Sequence, residues 1–164
     1  MDNSQLECMM PGLCKNVNLE RLSLACNGLT DKSSHLVVKV VNAQSERRDH
    51  IVWAYSLRGE LPPSDDYKKG LKEIVLSHNN FGEILASDLV LALRNDLYMR
   101  SVDLRNNNIP ESECKEFIKL FKTNKDLTNV DLRLNEGFSA RLHREMALRL
   151  LKNIQRLKDK GDLE

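Results

Sequence analysis

The 164-residue sequence contains no run of 18 apolar residues, so none of it is expected to cross a membrane as a helix. It also lacks an excess of charge: 25 basic residues stand against 24 acidic ones, for a formal net charge of +1 at pH 7. A dedicated nucleic-acid binder carries a clear basic surplus, so neither nucleic acid nor membrane is an expected partner. Aromatic residues are only 5% of the chain, which suits a core that repeats one small side chain in layers. The four cysteines, Cys8, Cys14, Cys26 and Cys114, form no CxxC pair and are expected to be free, reduced thiols of a cytoplasmic protein. Met1 to Leu13 lacks the basic start and continuous apolar stretch of a signal peptide. There is no HExxH, no Cys/His zinc spacing, no GxGxxG and no P-loop. His35, His50, His78 and His143 are scattered, with no Ser/His/Asp or Cys/His arrangement around them. No enzyme activity, metal or cofactor is expected.

What the chain does have is a repeat, the first thing to look for in such a composition. Leu19-x-x-Leu22-x-Leu24-x-x-Asn27-x-Leu29 returns as Leu71-x-x-Ile74-x-Leu76-x-x-Asn79-x-Phe81 and as Met99-x-x-Val102-x-Leu104-x-x-Asn107-x-Ile109. A fourth copy, Leu127-x-x-Val130-x-Leu132-x-x-Asn135, closes on Phe138, one residue late. The starts at 71, 99 and 127 are 28 apart, whereas 19 to 71 is 52, so one repeat carries 24 extra residues. Alternating apolar residues such as Leu22 and Leu24 predict a short strand with one buried face. A buried Asn at the bend after each strand can bond its own turn and that of the next repeat, so Asn27, Asn79, Asn107 and Asn135 predict an asparagine ladder. The pattern predicts an α/β leucine-rich-repeat solenoid of about four to five repeats, with a parallel curved sheet and convex helices, in one domain over 1–164.

Helical patterns fill the spaces between strands, at Asp88–Leu93 and at Glu116–Phe121 after Pro110 and Ser112. At the C-terminal end Leu142, Met146, Leu150, Leu151, Ile154 and Leu157 fall on one helical face, predicting a capping helix over 139–160. At the N-terminal end Leu6, Met9, Met10, Leu13 and Val17 read as the helix of a repeat without its strand, broken or kinked by Pro11. An uncapped end leaves strand groups and apolar surface unpaired, so another protein or another copy is expected to dock there.

Three departures from the repeat hold the candidate binding residues. The insertion spans 45–70, within the first full repeat. Its first part, Arg47 to Arg58, continues a helix begun at Asp31 to Val41, and Gly59, Pro62, Pro63, Ser64 and Asp65 form a loop. Arg47, Arg48, Trp53 and Tyr55 are residue types favoured at interaction hot spots; Trp53 either anchors a partner or packs down on the neighbouring helix. On the concave face, Ser23, Val75, Asp103 and Asp131 form one column and Ala25, Ser77, Arg105 and Arg133 the next. Asp103, Arg105, Asp131 and Arg133 are then either a self-satisfied charge lattice or a partner site using arginine forks. The closing helix carries Arg149, Lys152 and Arg156 on a basic face, either solvated or a contact for an acidic partner such as a tubulin tail.

A 28-residue period occurs in ribonuclease inhibitor, Ran GTPase-activating proteins, tropomodulins and many ciliary proteins. The combination here is narrower: Leu19-Glu-Arg-Leu-Ser-Leu-Ala-Cys-Asn-Gly-Leu-Thr, then Arg47-Arg48 and Trp53-Ala-x-Ser-Leu-Arg58, then Gly70-Leu-Lys-Glu-Ile. Leu97-Tyr-Met-Arg-Ser-Val-Asp-Leu and Thr123-Asn-Lys-Asp-Leu-Thr-Asn-Val-Asp-Leu-Arg133 follow. Over roughly residues 3 to 157 the sequence resembles the repeat domain of the 78-kilodalton centrosomal protein family. The resemblance implies a scaffold of the centriole, basal body or ciliary axoneme that binds centriolar, ciliary or microtubule-associated proteins, tubulin among them, within a larger assembly of the cytoskeleton. Members of that family carry further repeats upstream and a long C-terminal coiled-coil region. Neither stands in this sequence, so contacts that depend on them do not carry over. Two other classes compete: a GTPase regulator of the Ran GTPase-activating type, which needs an exposed loop Arg or Asn, and an inhibitor or actin-capping module of the ribonuclease-inhibitor or tropomodulin type.

Overall fold

The structure is a computed structural model. It describes residues 3–63 and 65–161, with the Asp66 side chain excepted; Ser64 of the expected loop and the extremes of the 1–164 domain lie outside the described residues. Four three-residue strands form one parallel sheet in chain order: β1 (Arg21–Ser23), β2 (Glu73–Val75), β3 (Ser101–Asp103) and β4 (Asn129–Asp131). Five helices pack in chain order beside it: α1 (Asn3–Lys15), α2 (Ser34–Ser56), α3 (Glu83–Leu93), α4 (Glu111–Leu120) and α5 (Ala140–Lys160). Short 3-10 turns precede α2 (Asp31–Ser33) and lie in the insertion (Asp65–Lys68).

The 28-residue spacing appears directly in the register: Leu22, Ile74, Val102 and Val130 are paired across the sheet. With Leu24, Leu76, Leu104 and Leu132 they are buried against the helices. Burying such a side chain stabilises by roughly 1.5–3 kcal/mol. Strand pairing extends past each three-residue core, because Leu76 N–H donates to Asp103 O and His78 N–H to Arg105 O.

The expected ladder closes the concave turn. The Asn79 side-chain oxygen accepts from Asn27 and Leu29 N–H, both at 3.0 Å, while its amide donates to Leu24 and Leu76 O. Asn107 and Asn135 repeat the pattern, with Asn135 Oδ1 accepting from Asn107 and Ile109 N–H. Before each ladder residue the chain turns left-handed, at Cys26, His78, Asn106 and Leu134, with φ between 50° and 62°. The extra residue that delays Phe138 is explained by Gly137. A Cβ there would lie 2.1 Å from the Glu111 nitrogen, so only glycine lets the last loop close on the start of α4.

The ends depart from expectation in two ways. Pro11 does not break α1, which runs from Asn3 to Lys15; its missing N–H removes one bond from a helix anchored by buried Leu6 and Met10. On α5, Ser139 caps the start and Gly161 the end, close to the expected 139–160. Leu151, however, is 60% exposed, and Asn153 takes a buried place instead. Its amide donates to Asn124 and Leu127 O, which seals the last repeat's carbonyls.

Candidate interaction surfaces

The insertion lengthens α2 to 23 residues, against 11 in α3 and 10 in α4. At 1.5 Å per residue that is about 35 Å, roughly twice its neighbours. The near half packs on α1 and α3. On the far half Trp53 is 58% exposed, touching His50 ring edge to ring at 5.8 Å, and Leu57, one turn on, is exposed, as is Leu61 in the following loop. Trp53 therefore does not pack down on a neighbouring helix. Tyr55 is half-buried.

Arg48 is the clearest correction. Expected as an exposed partner anchor, it is among the largest fully buried side chains. Its Nη2 donates to Leu71 O at 2.6 Å and its Nε to Gln44 O at 3.0 Å, and its guanidinium lies 4.4 Å from the Tyr98 ring centre. The Tyr98 hydroxyl donates to Asp49. Burial holds the guanidinium below the usual arginine range, with Asp96 opposing. Burial, helped by Asp49, pushes the Tyr98 phenol up. Arg47 is half-buried and donates to Lys69 O at 2.5 Å. Both arginines tie the insertion's return to α2.

The reason lies in a second polar line. Asp96 accepts from Tyr98 and Met99 N–H, and Asn124 accepts from Asp126 and Leu127 N–H while donating to Leu93 and Asp96 O. Each stands three residues before the first apolar residue of its repeat, as does Asn16, which accepts from Asn18 N–H. The equivalent position before Leu71 is Lys68, which cannot accept. There α2 supplies the bonds: the Gln44 side-chain oxygen accepts from Leu71 N–H at 3.5 Å while its amide donates to Leu13 and Asn16 O, and Arg48 donates to Leu71 O. The Asx spacing at 16, 96 and 124 is the signal that would have revealed this line.

On the concave face the two columns assemble as expected, with Ser23, Val75, Asp103 and Asp131 in register. Arg105 closes its fork on Asp103 with bonds of 3.0 and 2.7 Å, and Arg133 closes on Asp131 at 3.0 and 2.6 Å. Arg105 also reaches Asp131 at 3.4 Å, linking the strands. Burial raises the pKa of Asp103, but the hydrogen bonds and charge of Arg105 outweigh it, and the net shift is downward. The forks are filled by the chain's own carboxylates. On α5, Lys152 is exposed, while Arg149 pairs with Glu145 at 3.0 Å and Arg156 donates to Lys125 O.

A four-strand parallel sheet with stacked helices, a 28-residue register and an asparagine ladder defines a leucine-rich-repeat solenoid. No protein-family model matches the chain. Its sequence is similar to the Centrosomal protein of 78 kDa from mouse, 28% identical over 149 residues covering 90% of this chain and 19% of that protein. The human protein is 26% identical over 149 residues, with 90% and 22% covered, and the Xenopus tropicalis protein 32% over 111 residues, with 67% and 15% covered. The resemblance read from the sequence is thus borne out. The chain spans about a fifth of the length of the curated relatives it matches. Among solved structures, the Leiomodin-1 Actin-Binding Site 2 superposes with a TM-score of 0.71 at 16% identity, covering 98% of this chain and 79% of that one. The tropomodulin C-terminal domain of Caenorhabditis elegans gives 0.51 at 10% identity, with 98% of both covered. At such identities the likeness is one of fold.

Proposed function

We propose that this chain is a non-enzymatic scaffold that binds other proteins at the centrosome, on the centriole, basal body or ciliary axoneme. The observation that carries the proposal is the exposed tip of α2, where Trp53 and Leu57 stand in solvent. A large apolar patch on a repeat surface marks an interaction site, and tryptophan is enriched where binding energy concentrates. The tip belongs to the insertion on which the resemblance to the centrosomal proteins rests most heavily. The non-enzymatic reading is supported by the closed forks of Arg105 and Arg133, since a GTPase-activating arginine must reach a nucleotide in trans.

A tagged chain carrying Trp53→Ala and Leu57→Ala tests this. The wild type should co-localise with a centriole marker and the double variant should become diffuse at equal abundance. A diffuse wild type, or GTP hydrolysis stimulated by the chain and lost on Arg105→Ala, would overturn the proposal.

A further inference from the structure

α4 and α5 pack side by side and leave between them two adjoining cavities of about 390 and 540 Å³, which share Lys122, Glu145 and Arg149. Four lysines from α4 and its exit line them (Lys115, Lys119, Lys122 and Lys125), and α5 adds Arg141, Arg149 and Lys152. Only Glu111 and Glu145 oppose these seven cations in the lining. An excess of five positive charges thus sits in one groove of a chain whose formal net charge is +1.

Several of these cations are already engaged. Lys115 pairs with Glu111, Lys119 with Glu116 and Arg149 with Glu145, and Lys125 donates to Phe121 O. Lys122 and Lys152 have no carboxylate partner among the described residues. The Arg149 Nε–H, on the wall common to both cavities, is buried without an acceptor. An unmet buried donor is costly. The lining is also apolar: Ile118, Phe121 and Leu142 are buried within it, and Leu148 at the rim is 63% exposed.

We infer that the α4–α5 groove binds an acidic segment of a partner protein, with carboxylates on Lys122 and Lys152 and one apolar side chain against the exposed Leu148. The combined cavities fall in the size range of ligand sites. Charge complementarity of this kind speeds encounter and excludes wrong partners. The inference rests on the scaffold reading but concerns a different face, since the Trp53 tip lies on α2.

The test is fluorescence anisotropy with a labelled hexapeptide of five glutamates around one leucine. Lys122→Glu with Lys152→Glu should weaken binding about tenfold, because two attractions become repulsions. Lys32→Glu with Lys39→Glu, the same charge change on exposed positions elsewhere, should weaken it less than about twofold at 0.15 M salt, where distant charges are screened. Replacing the probe's leucine by glycine should weaken binding severalfold. Matching thermal melts exclude misfolding. Equal losses from the two pairs, no dependence on the leucine, or displacement of the peptide by phosphatidylserine vesicles would each overturn the inference. The arms separate it from the scaffold reading: a Trp53→Ala, Leu57→Ala chain that turns diffuse yet keeps the peptide upholds both. A groove that fails while the tip still localises the chain sinks only the groove.

Discussion

The repeats from 71 to 138 and the insertion-bearing repeat from 19 to 70 solve the same problem by different means. In the regular repeats the polar groups of each turn are met by residues at fixed positions, Asn79, Asn107 and Asn135 on one side and Asp96 and Asn124 on the other. In the first repeat the insertion puts Lys68 where an acceptor should stand, and from α2 Gln44 accepts from Leu71 N–H while Arg48 donates to Leu71 O. Stability and novelty are thus separated along one helix. The buried first part of α2 mends the stack, and the exposed second part is left over for contact.

The largest effect should come from breaking the ladder inside the regular region. Asn107 is buried and accepts from Phe81 N–H while donating to Leu76, Leu104 and Arg105 O. Asn107→Ala strands several backbone groups at once and should cost about 4 kcal/mol, at roughly 1 kcal/mol or more per bond. Asn27, half-buried on the first rung, should cost about 1 kcal/mol as Ala. Urea unfolding of both variants measures the contrast; equal losses would mean the first rung is as deeply built in as the middle one.

Next is Gly137→Ala. The added Cβ would meet the Pro110 carbonyl carbon at 2.3 Å and the Glu111 nitrogen at 2.1 Å, both backbone and unable to swing away. Overpacking of this kind should cost about 3 kcal/mol, read as a drop in melting temperature. Gly28→Ala meets no such atom and strains only its φ of 65°, so about 1 kcal/mol is expected there.

Arg48 sharpens the comparison at the mended joint. Arg48→Met keeps the length and apolar packing over Tyr98 but leaves the Leu71 carbonyl without its donor. A loss of about 2 kcal/mol is expected, with the Trp53 tip still in place by tryptophan fluorescence. A variant as stable as the wild type would show that the insertion needs no such tie.

The solenoid, the register and the ladder were legible because each is written several times at constant spacing, so chance matches average out. The capping helix was legible from its apolar stripe, although Asn153 rather than Leu151 faces inward. Arg48 was misread because its chemistry is shared by two roles. An Arg beside a Trp resembles an anchor, and only packing brings its guanidinium to the Leu71 carbonyl as a strut. The α4–α5 groove was half-legible: α5 showed a basic face, but the lysines of α4 come from a separate stretch that only packing brings opposite.

The smallest effect should come from the concave lattice, and its sign with pH is fixed. The Asp103 carboxyl titrates below the ordinary aspartate value of 3.8 in the folded chain, since the bonds from Arg105 outweigh the cost of burial. A depressed folded pKa adds stability above the unfolded value, and that contribution disappears as pH falls through the folded one. Arg105's side chain is 39% exposed, so solvent screens the pair and the contribution is modest. Asp103→Asn should therefore lower the urea midpoint slightly at pH 7, and the gap from wild type should begin to narrow below about pH 4 and be lost as pH falls through the folded pKa. High salt should narrow the same gap at pH 7. A gap that does not narrow at all as pH falls from 7 through the acid range would mean that the Asn side chain disturbs the Arg105 backbone turn rather than the charge pair, which would leave the ladder, and not the lattice, as the polar order on the concave side that matters to stability.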